Sequence, residues 1–212
     1  MRNAHAESAA ILLNPRAILS SSVVFDSFQS LVGAPRLFGK FLDYVRPQAG
    51  QHLLDIGCGV GATLRHLPGG VRYTGIDISP AYIDAARERF GDRGRFIATD
   101  VGEAVLPRSH FDCAIAVGVM HHLNNQTAHS MLKLARHALR PGGSLYTVDP
   151  CYTADQSSIG RWITSKDRGQ FVRDLEGYRR LFDTHGRTET SIVKGLLRIP
   201  YTHIVAKVDF AA

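Results

Sequence analysis

The chain has 212 residues, of which 44% are hydrophobic and 21% are charged, a composition that excludes a disordered protein. This length and apolar content predict one domain with a sizeable core. The formal net charge is +6, but the basic residues are scattered along the sequence, which argues against a nucleic-acid partner.

The apolar runs and the cysteines indicate the cellular compartment in which the protein is expected. No uncharged apolar run approaches the roughly 20 residues that a membrane span needs. The three cysteines form no CxxC pair, which favours neither a disulfide framework nor a zinc site, so no metal is expected. The first residues show no signal-peptide pattern, and the sequence therefore predicts a reduced, cytoplasmic protein.

The predicted elements begin with two apolar helical patterns, at residues 21–32 and 37–45, which we expect to form an N-terminal lid. From residue 51 onward, short apolar runs alternate with helical stretches, which is typical of a parallel sheet covered by helices. Strands are predicted at residues 52–56, 71–76, 95–99, 112–117, 144–148, 189–193 and 203–208. Helices are predicted at 80–90, with Ser79 as the N-cap, and at 125–139.

The segment 151–185 has no convincing strand pattern and is too long for an ordinary connection. Insertions of this length usually form lids or substrate walls. The sequence therefore predicts a single domain in four parts. These are N-terminal helices at 1–50, a core at 51–150, a substrate-side insertion at 151–185 and C-terminal strands at 186–212.

A glycine-rich turn, LDIGCGVG at residues 54–61, follows the first predicted strand. Glycine permits a tight turn and a close approach of backbone to ligand, and the amides at a following helix start offer hydrogen-bond donors. Asp77 ends the next predicted strand, 20 residues after Gly57. A carboxylate there can accept hydrogen bonds from both ribose hydroxyls of a nucleoside.

Two cofactors fit this turn. Gly57-x-Gly59-x-x-Ala62 matches the dinucleotide fingerprint, so a nicotinamide cofactor stays open. Asp55, beside the turn, suits an ammonium better than a pyrophosphate, and Asp100, after the third strand, could accept from an adenine amino group. Acidic groups at successive strand ends favour a cationic ligand without phosphates, S-adenosylmethionine (SAM).

The ordered motifs resemble those of the class I SAM-dependent methyltransferases, and most closely small bacterial enzymes with an LDIGCGxG, HHL and LRPGG pattern. Besides LDIGCGVG, the chain has GIDIS at 75–79, HHL at 121–123 and LRPGG at 139–143. The resemblance covers roughly residues 50–150. It implies an α/β fold with a doubly wound, seven-stranded, mostly parallel Rossmann-like sheet and an antiparallel last strand. It also implies SAM as methyl donor and S-adenosylhomocysteine as product.

The same resemblance implies a set of cofactor-binding residues from the strand ends and the N-terminal lid. They are Asp55, Gly57, Cys58 and Gly59 around the methionine part, Asp77 at the ribose, Ile78, Asp100 and Val101 at the adenine, Val117 and Gly118 near the sulfonium, and Phe28 and Gln29 in the lid. Cys58 is interpreted as a small packing residue and not as a nucleophile.

Methyl transfer from a sulfonium is an in-line displacement on an activated carbon, so the protein mainly aligns the reactants and excludes water. A base helps where the nucleophile is a hydroxyl or a protonated amine, and the candidates are His121, His122 and Asp149. The arginines of the insertion predict an acidic or carboxylate-bearing acceptor. The expected substrate contacts are Arg161, Arg168, Arg173, Trp162 and His203.

The sequence therefore predicts transfer of a methyl group to a small-molecule acceptor, by preference O-methylation of a hydroxyl or carboxylate in bacterial metabolism. N- or C-methylation of a small molecule, RNA methylation and nicotinamide-dependent oxidoreduction are the alternatives, in that order. Neither the acceptor nor the oligomeric state follows from the sequence.

Overall fold

The structure is a computed structural model that describes residues 34–210. The helix predicted at 21–32, with Phe28 and Gln29, lies outside these residues. The helices are α1 (Ala34–Val45), α2 (Pro80–Phe90), α3 (Asn125–Ala138), α4 (Ser158–Ser165) and α5 (Leu175–Asp183). The strands are β1 (His52–Ile56), β2 (Arg72–Asp77), β3 (Gly94–Ala98), β4 (Phe111–Val117), β5 (Leu139–Tyr152), β6 (Arg173–Asp174), β7 (Gly186–Lys194) and β8 (Thr202–Phe210).

The strands form one sheet in the order β3-β2-β1-β4-β5-β8-β7, and the two-residue β6 pairs with the far end of β5. Strands β1 to β5 run parallel to their neighbours, whereas β8 runs antiparallel to both β5 and β7. The predicted fold class, a mostly parallel sheet with an antiparallel last strand, is confirmed.

Apolar side chains cover both faces of the sheet, which explains why the central strands are near-continuous apolar runs. On one face, Met131 and Leu132 of α3 and Phe182 of α5 are fully buried in a core with β4 and β5. On the other face, Phe41 of α1 and Ile83 of α2 are fully buried in a second core. None of the helices within residues 34–210 is long and apolar enough to cross a bilayer.

Local caps set the helix starts next to the carboxyl ends of the strands. The Ser79 hydroxyl accepts from the Tyr82 amide at 3.3 Å, and Pro80 is the first residue of α2, as predicted. The Asn124 side chain accepts from the Thr127 amide at 2.9 Å at the start of α3. Both helices therefore leave the sheet immediately after the turns that follow β2 and β4.

Two features of the second half differ from the sequence prediction. Strand β5 begins at Leu139, so the Pro-Gly-Gly stretch lies within the strand, where the register with β4 shifts between Phe111 and Cys113. The insertion, predicted to contain no strand, contributes β6 between α4 and α5. That prediction was wrong because β5 runs on beyond the end of β4, and its last residues take a new parallel partner.

Candidate active site

The turn after β1 lies at the carboxyl edge of the sheet and depends on glycine. Gly57, Gly59 and Gly61 have φ values of 73°, 54° and 73°, in the left-handed region that favours glycine. A Cβ atom at Gly57 would lie 2.5 Å from Cγ2 of Val119, so only glycine allows this turn to approach the loop after β4 so closely. The sequence therefore brings two backbone loops together at one edge.

Asp77, at the end of β2, joins this turn to the start of α2. Its Oδ2 accepts from the Gly59 amide at 2.9 Å, and its Oδ1 accepts from the Ser79 amide at 2.9 Å. Each carboxylate oxygen keeps a lone pair for a further donor. The neighbouring Ile78 is 69% exposed, which leaves an apolar surface beside a half-buried carboxylate. This combination fits a nucleoside, with hydroxyls at Asp77 and a planar base against Ile78.

The end of β3 completes this edge. The Thr99 amide donates to the Asp77 carbonyl oxygen at 2.9 Å, which holds the two strand ends side by side. Asp100 accepts from the Gly102 amide through Oδ1 at 2.7 Å, and both Asp100 and Val101 are half-buried. The expected adenine contacts therefore lie next to the expected ribose contact.

Asp55 and Cys58 lie beneath the turn. The Asp55 side chain belongs to a residue that is 1% exposed, and its Oδ2 accepts from the Tyr73 hydroxyl at 2.7 Å. Burial raises the pKa of Asp55 to about 7, although hydrogen bonds from Tyr73 and Thr63 oppose the rise. The Asp55 carboxylate thus contacts Tyr73 and is buried, so it is not exposed at the edge where the methionine ammonium was expected. Burial also raises the pKa of the Cys58 thiol, so this side chain is a neutral packing group.

At the end of β4, Val117 and Gly118 are half-buried. Gly118 has a φ of 65° and its amide donates to the Val148 carbonyl oxygen at 2.8 Å, which fixes the chain where it leaves the sheet. These two residues face the same edge as the turn after β1, in the place expected for the sulfonium region.

His121 lies between two carboxylates. Its Nδ1 lies 2.8 Å from Oδ1 of Asp149, at the end of β5, and its Nε2 lies 3.2 Å from Oδ1 of Asp167 in the insertion. The His121 backbone amide also donates to Asp149 Oδ1 at 3.1 Å, and the Tyr201 hydroxyl donates to Oδ2 of Asp167. Residues from four segments that are distant in sequence therefore form one hydrogen-bond network around this imidazole.

The two carboxylates beside His121 favour its protonated form. Burial lowers the pKa of His121, but the hydrogen bonds and charges of Asp149 and Asp167 outweigh it and raise the pKa to about 9. Burial alone would raise the pKa of Asp167, yet hydrogen bonds from His121, Tyr201 and the Gly169 amide hold it well below its usual range. A protonated imidazole that donates from both nitrogens has no lone pair for another proton. The two carboxylates therefore leave neither ring nitrogen of His121 free, and its expected role as a base stays a prediction that this geometry does not favour.

The other two predicted catalytic residues differ in their surroundings. His122 is exposed, and partial burial of its ring together with the charge of His121 lowers its pKa, so it is neutral near pH 7 and can accept a proton. Asp149 has no exposed surface; Oδ1 is occupied by His121, and Oδ2 has no hydrogen-bond partner among the described residues. His122 is thus the accessible candidate, and Asp149 orients His121.

The predicted substrate residues fall into two groups. The Arg173 guanidinium donates to the carbonyl oxygens of Met120 at 2.9 Å and Leu123 at 2.7 Å, so these donors are already used within the chain and do not favour its expected role as a substrate fork. The Arg161 guanidinium donates to the Thr153 carbonyl at 3.0 Å and lies over the Tyr152 ring.

The remaining predicted contacts are free of such bonds. Arg168 is exposed, and Trp162 is 63% exposed. His203 is 3% exposed; burial, followed by the charge of His121, lowers its pKa to about 4. Its Nδ1 has no hydrogen-bond partner among residues 34–210, and its ring centroid lies 5.4 Å from that of Tyr201. Arg168 and Trp162 are therefore accessible to an acceptor, whereas His203 is buried.

Sequence reasoning missed Asp167 and Gly169 as site residues. Asp167 stands in a stretch of mixed charge that is typical of a solvated surface, and Gly169 carries no motif. A Cβ atom at Gly169 would overlap the ring of His121, so this glycine lets the insertion close over the imidazole. No pattern in the sequence marks that contact. Within the described part of the chain, no three His, Cys, Asp or Glu side chains form a metal-binding group.

Comparison with known proteins agrees with this geometry. Residues 54–145 match the family described as methyltransferase domain. An O-methyltransferase of Pyrenophora dematioidea is 34% identical over 137 residues, which are 60% of this chain and 51% of that protein. The 27-O-demethylrifamycin SV methyltransferase of Amycolatopsis mediterranei is 33% identical over 121 residues, 54% of this chain and 44% of that protein. The chain thus spans about half the length of the curated relatives it matches.

Solved structures share the fold. A chain of the complex between the Haloferax volcanii Trm112 methyltransferase activator and the putative methyltransferase has a TM-score of 0.74 at 18% identity, covering 94% of this chain and 99% of that one. A SAM-dependent methyltransferase of Aquifex aeolicus has a TM-score of 0.61 at 14% identity, covering 95% and 97%. The chain therefore has the fold of these methyltransferase structures, and its residues 54–145 match the methyltransferase domain family.

Proposed function

We propose that the protein binds SAM at the carboxyl ends of β1 to β4 and transfers the methyl group to an oxygen atom of a small-molecule acceptor. The observation that carries this proposal is the turn after β1, whose glycines lie against the carboxylate of Asp77 and beside the exposed Ile78. SAM supplies a methyl group that its sulfonium already activates, so the protein need not generate an electrophile.

The hydrogen bonds of the turn favour SAM over a dinucleotide. A pyrophosphate binds to free backbone amides at such a turn. Here the Gly57 and Cys58 amides both donate to the Ile76 carbonyl, at 2.8 and 3.0 Å, and the Gly59 amide donates to Asp77. Because these donors are already used, the turn offers little to a pyrophosphate, and the nicotinamide alternative loses its main support.

The roles of the side chains follow from their positions. Asp77 accepts from the ribose hydroxyls, Ile78 packs on the adenine, and Asp100 with the Val101 amide reads the adenine edge. Gly118 leaves room beside the sulfonium. Neutral His122 accepts the proton of an acceptor hydroxyl during transfer.

His121 acts as a positioning residue. As an imidazolium between Asp149 and Asp167, it holds the insertion over the edge where the reactants meet. Arg173 holds the loop after β4 against the insertion through the Met120 and Leu123 carbonyls. Together these cations fix the wall that aligns the acceptor and excludes water.

The acceptor class is inferred from the relatives and from one arginine. Three relatives, from Pyrenophora dematioidea, Penicillium expansum and Aspergillus sclerotiorum, are named O-methyltransferases, which supports oxygen as the methylated atom. Of the three arginines predicted to bind an acidic acceptor, Arg168 is exposed and makes no side-chain hydrogen bond or ion pair within residues 34–210. A carboxylate on the acceptor would pair with Arg168.

A transfer assay with matched acceptors tests the proposal. The full chain is incubated with SAM and a phenol, a phenolic acid, an aliphatic amine or RNA, and S-adenosylhomocysteine is quantified by mass spectrometry. We expect turnover with the hydroxyl compounds, most of all the phenolic acid, and its loss in Asp77→Ala. Asp84→Asn, an exposed carboxylate on α2, is the matched control and should keep full activity. Turnover confined to the amine or to RNA would overturn the oxygen assignment.

A further inference from the structure

The opposite edge of the sheet, where the parallel strands begin, gathers basic side chains around a groove of about 430 Å³. We call it the basic groove. Its basic lining residues come from the loop before β4, from α3 and from the start of β5: Arg108, Lys133, Arg136 and Arg140, with His137 beside them. Among residues 34–210, no carboxylate lines the groove. Residues that are scattered in the sequence thus converge in the fold.

The loop before β4 is fixed against the last turn of α3. The Ser109 amide donates to the His137 carbonyl at 3.0 Å, and the His110 amide donates to the Ala138 carbonyl at 2.8 Å. Ser109 has a φ of 50°, an uncommon conformation for a residue with a side chain. These bonds place Arg108 beside the end of α3.

The cations of α3 are placed where they repel one another. Lys133 and Arg136 are exposed and three residues apart, a like-charge spacing that destabilises a helix. The helix dipole favours cations in the last turn and so accounts for Arg136 and His137, but Arg108 lies outside the helix and Lys133 precedes its last turn. No carboxylate among the described residues pairs with Lys133, Arg136 or Arg108. An anion from outside the chain would relieve this repulsion.

The positive charge continues from the groove along the starts of β1 and β2. Arg72 Nη1 lies 2.7 Å from Nε2 of His52, and His52 Nδ1 lies 3.0 Å from Nε2 of His110. Burial and the charges of Arg72, His110 and Arg140 lower the pKa of His52, so a neutral histidine holds a charged guanidinium. Asp112 is the carboxylate within this row, and it accepts from Arg140 and from the His52 amide. Since strands β2, β1, β4 and β5 are neighbours about 4.8 Å apart, the basic row extends for roughly 15 Å.

We propose that this edge of the sheet, formed by the basic groove and the row from Arg140 to Arg72, binds the sugar–phosphate backbone of a nucleic acid. Guanidinium groups match phosphate oxygens in bidentate fashion. Arg108 and Arg136 have no carboxylate partner among the described residues, whereas Arg140 also pairs with Asp112 and Arg72 with His52. An extended row suits a repeating anion better than a single phosphate. Among the described residues that line the groove there is no exposed Phe, Tyr or Trp for base stacking, so binding through phosphate contacts is independent of sequence.

Two other anionic partners fit less well. A bilayer surface is bound by exposed apolar side chains beside cations, and an acidic protein by a buried aromatic anchor. The apolar residues of the groove do not serve either purpose, because Leu139 is buried and Phe210 is half-buried. The basic edge lies opposite the carboxyl ends of the β-strands. A nucleic acid bound there therefore leaves the proposed SAM site open. The inference therefore stands apart from the proposed function.

Fluorescence anisotropy with the full chain tests the proposal. The probes are a labelled single-stranded RNA of about 20 nucleotides and the DNA of the same sequence, titrated at about 50 to 200 mM KCl, where phosphate contacts show as a salt dependence. About four phosphate contacts on a single strand correspond to a slope of roughly −3 in log K against log salt. The test variant is Lys133→Glu with Arg136→Glu. The matched control is Lys166→Glu with Arg180→Glu, which makes the same charge change at the ends of α4 and α5.

We expect the test variant to bind at least about tenfold more weakly with a shallower salt slope, and the control to bind like the wild type. Lys133→Gln with Arg136→Gln, which avoids introducing new charge, should fall between them, and thermal melting verifies that each variant is folded. Equal affinities of the test and control variants would overturn the proposal. So would binding without salt dependence, or binding to phosphatidylglycerol vesicles with no binding to either nucleic acid.

Discussion

The Nδ1 atom of His121 lies 2.8 Å from Oδ1 of Asp149, a carboxylate with no exposed surface. Through Nε2 the same ring reaches Asp167, and the amide of Phe171 donates to the His121 carbonyl at 2.9 Å. The loop after β4, the end of β5 and the insertion are thus held together at one residue. The substrate side of the protein depends on the charge of this imidazole.

Replacing Asp149 by Asn should destabilise the fold. The change removes the negative charge next to a buried imidazolium, and breaking a buried ion pair in this way costs about 3 kcal/mol or more. Urea unfolding measures the loss. Asp155→Asn, whose carboxylate pairs with Lys194 on the surface at 2.6 Å, is the control and should change little. Equal small effects of the two substitutions would mean that the pair at His121 is not ionised.

The pH dependence of stability should report His121. Its pKa in the folded protein, about 9, lies above the ordinary 6.5, so protonation stabilises the fold fully below pH 6.5 and this contribution is lost as the pH rises through 9. The difference in free energy of unfolding between the wild type and His121→Gln should therefore shrink by about 3 kcal/mol as the pH rises across this range. Asp55, with a pKa of about 7, titrates in both proteins and cancels in the difference. A gap that stays constant with pH would contradict the raised pKa.

Gly169→Ala should open the insertion. The added methyl group would overlap the His121 ring and lie 2.7 Å from its carbonyl oxygen, and such overpacking costs about 1–3 kcal/mol. Hydrogen exchange at the Phe171 amide measures the effect, because this amide donates to His121. As a control, Gly39→Ala in α1 meets no atom within 4 Å and should be neutral or stabilising. Unchanged protection of Phe171 in Gly169→Ala would show that the contact does not hold the insertion.

Substitutions of two arginines of the insertion should have different effects, one on stability and the other on acceptor binding. Arg173→Ala removes the donors to the Met120 and Leu123 carbonyls and should cost about 2 kcal/mol in urea unfolding. Arg168→Ala, at an exposed position, should leave stability unchanged and raise KM for an acidic acceptor about tenfold. An unchanged KM for the acidic acceptor in Arg168→Ala would remove Arg168 from the acceptor site.

Local signals explain what the sequence could predict. The bounds of α2 agree with the prediction residue for residue because Ser79, Pro80 and Gly91 mark its ends. The strands next to the turn after β1 were placed within a residue or so because buried parallel strands are apolar runs that glycines terminate. Because those strand ends were predicted correctly, the sequence also predicted that Asp77 and Asp100 lie at the carboxyl edge of the sheet.

Long-range contacts explain what the sequence could not predict. Gly142 has a φ of 83°, so the Pro-Gly-Gly stretch looks like a turn, yet pairing with β4 makes it part of β5. The inward direction of Asp55 depends on a hydroxyl from β2, Tyr73, which no motif marks. Arg173 was predicted to bind substrate because the insertion is rich in arginine; its partners in the structure are backbone carbonyls, which leave no trace in a sequence.

Calorimetric titration of the full chain with SAM, and separately with NADH, tests the central claim most directly. The account predicts binding of SAM at one site, its loss in Asp77→Ala, and no measurable heat with NADH, because the amides of the turn after β1 are already used. Saturable binding of NADH by a chain that gives no heat with SAM would contradict it.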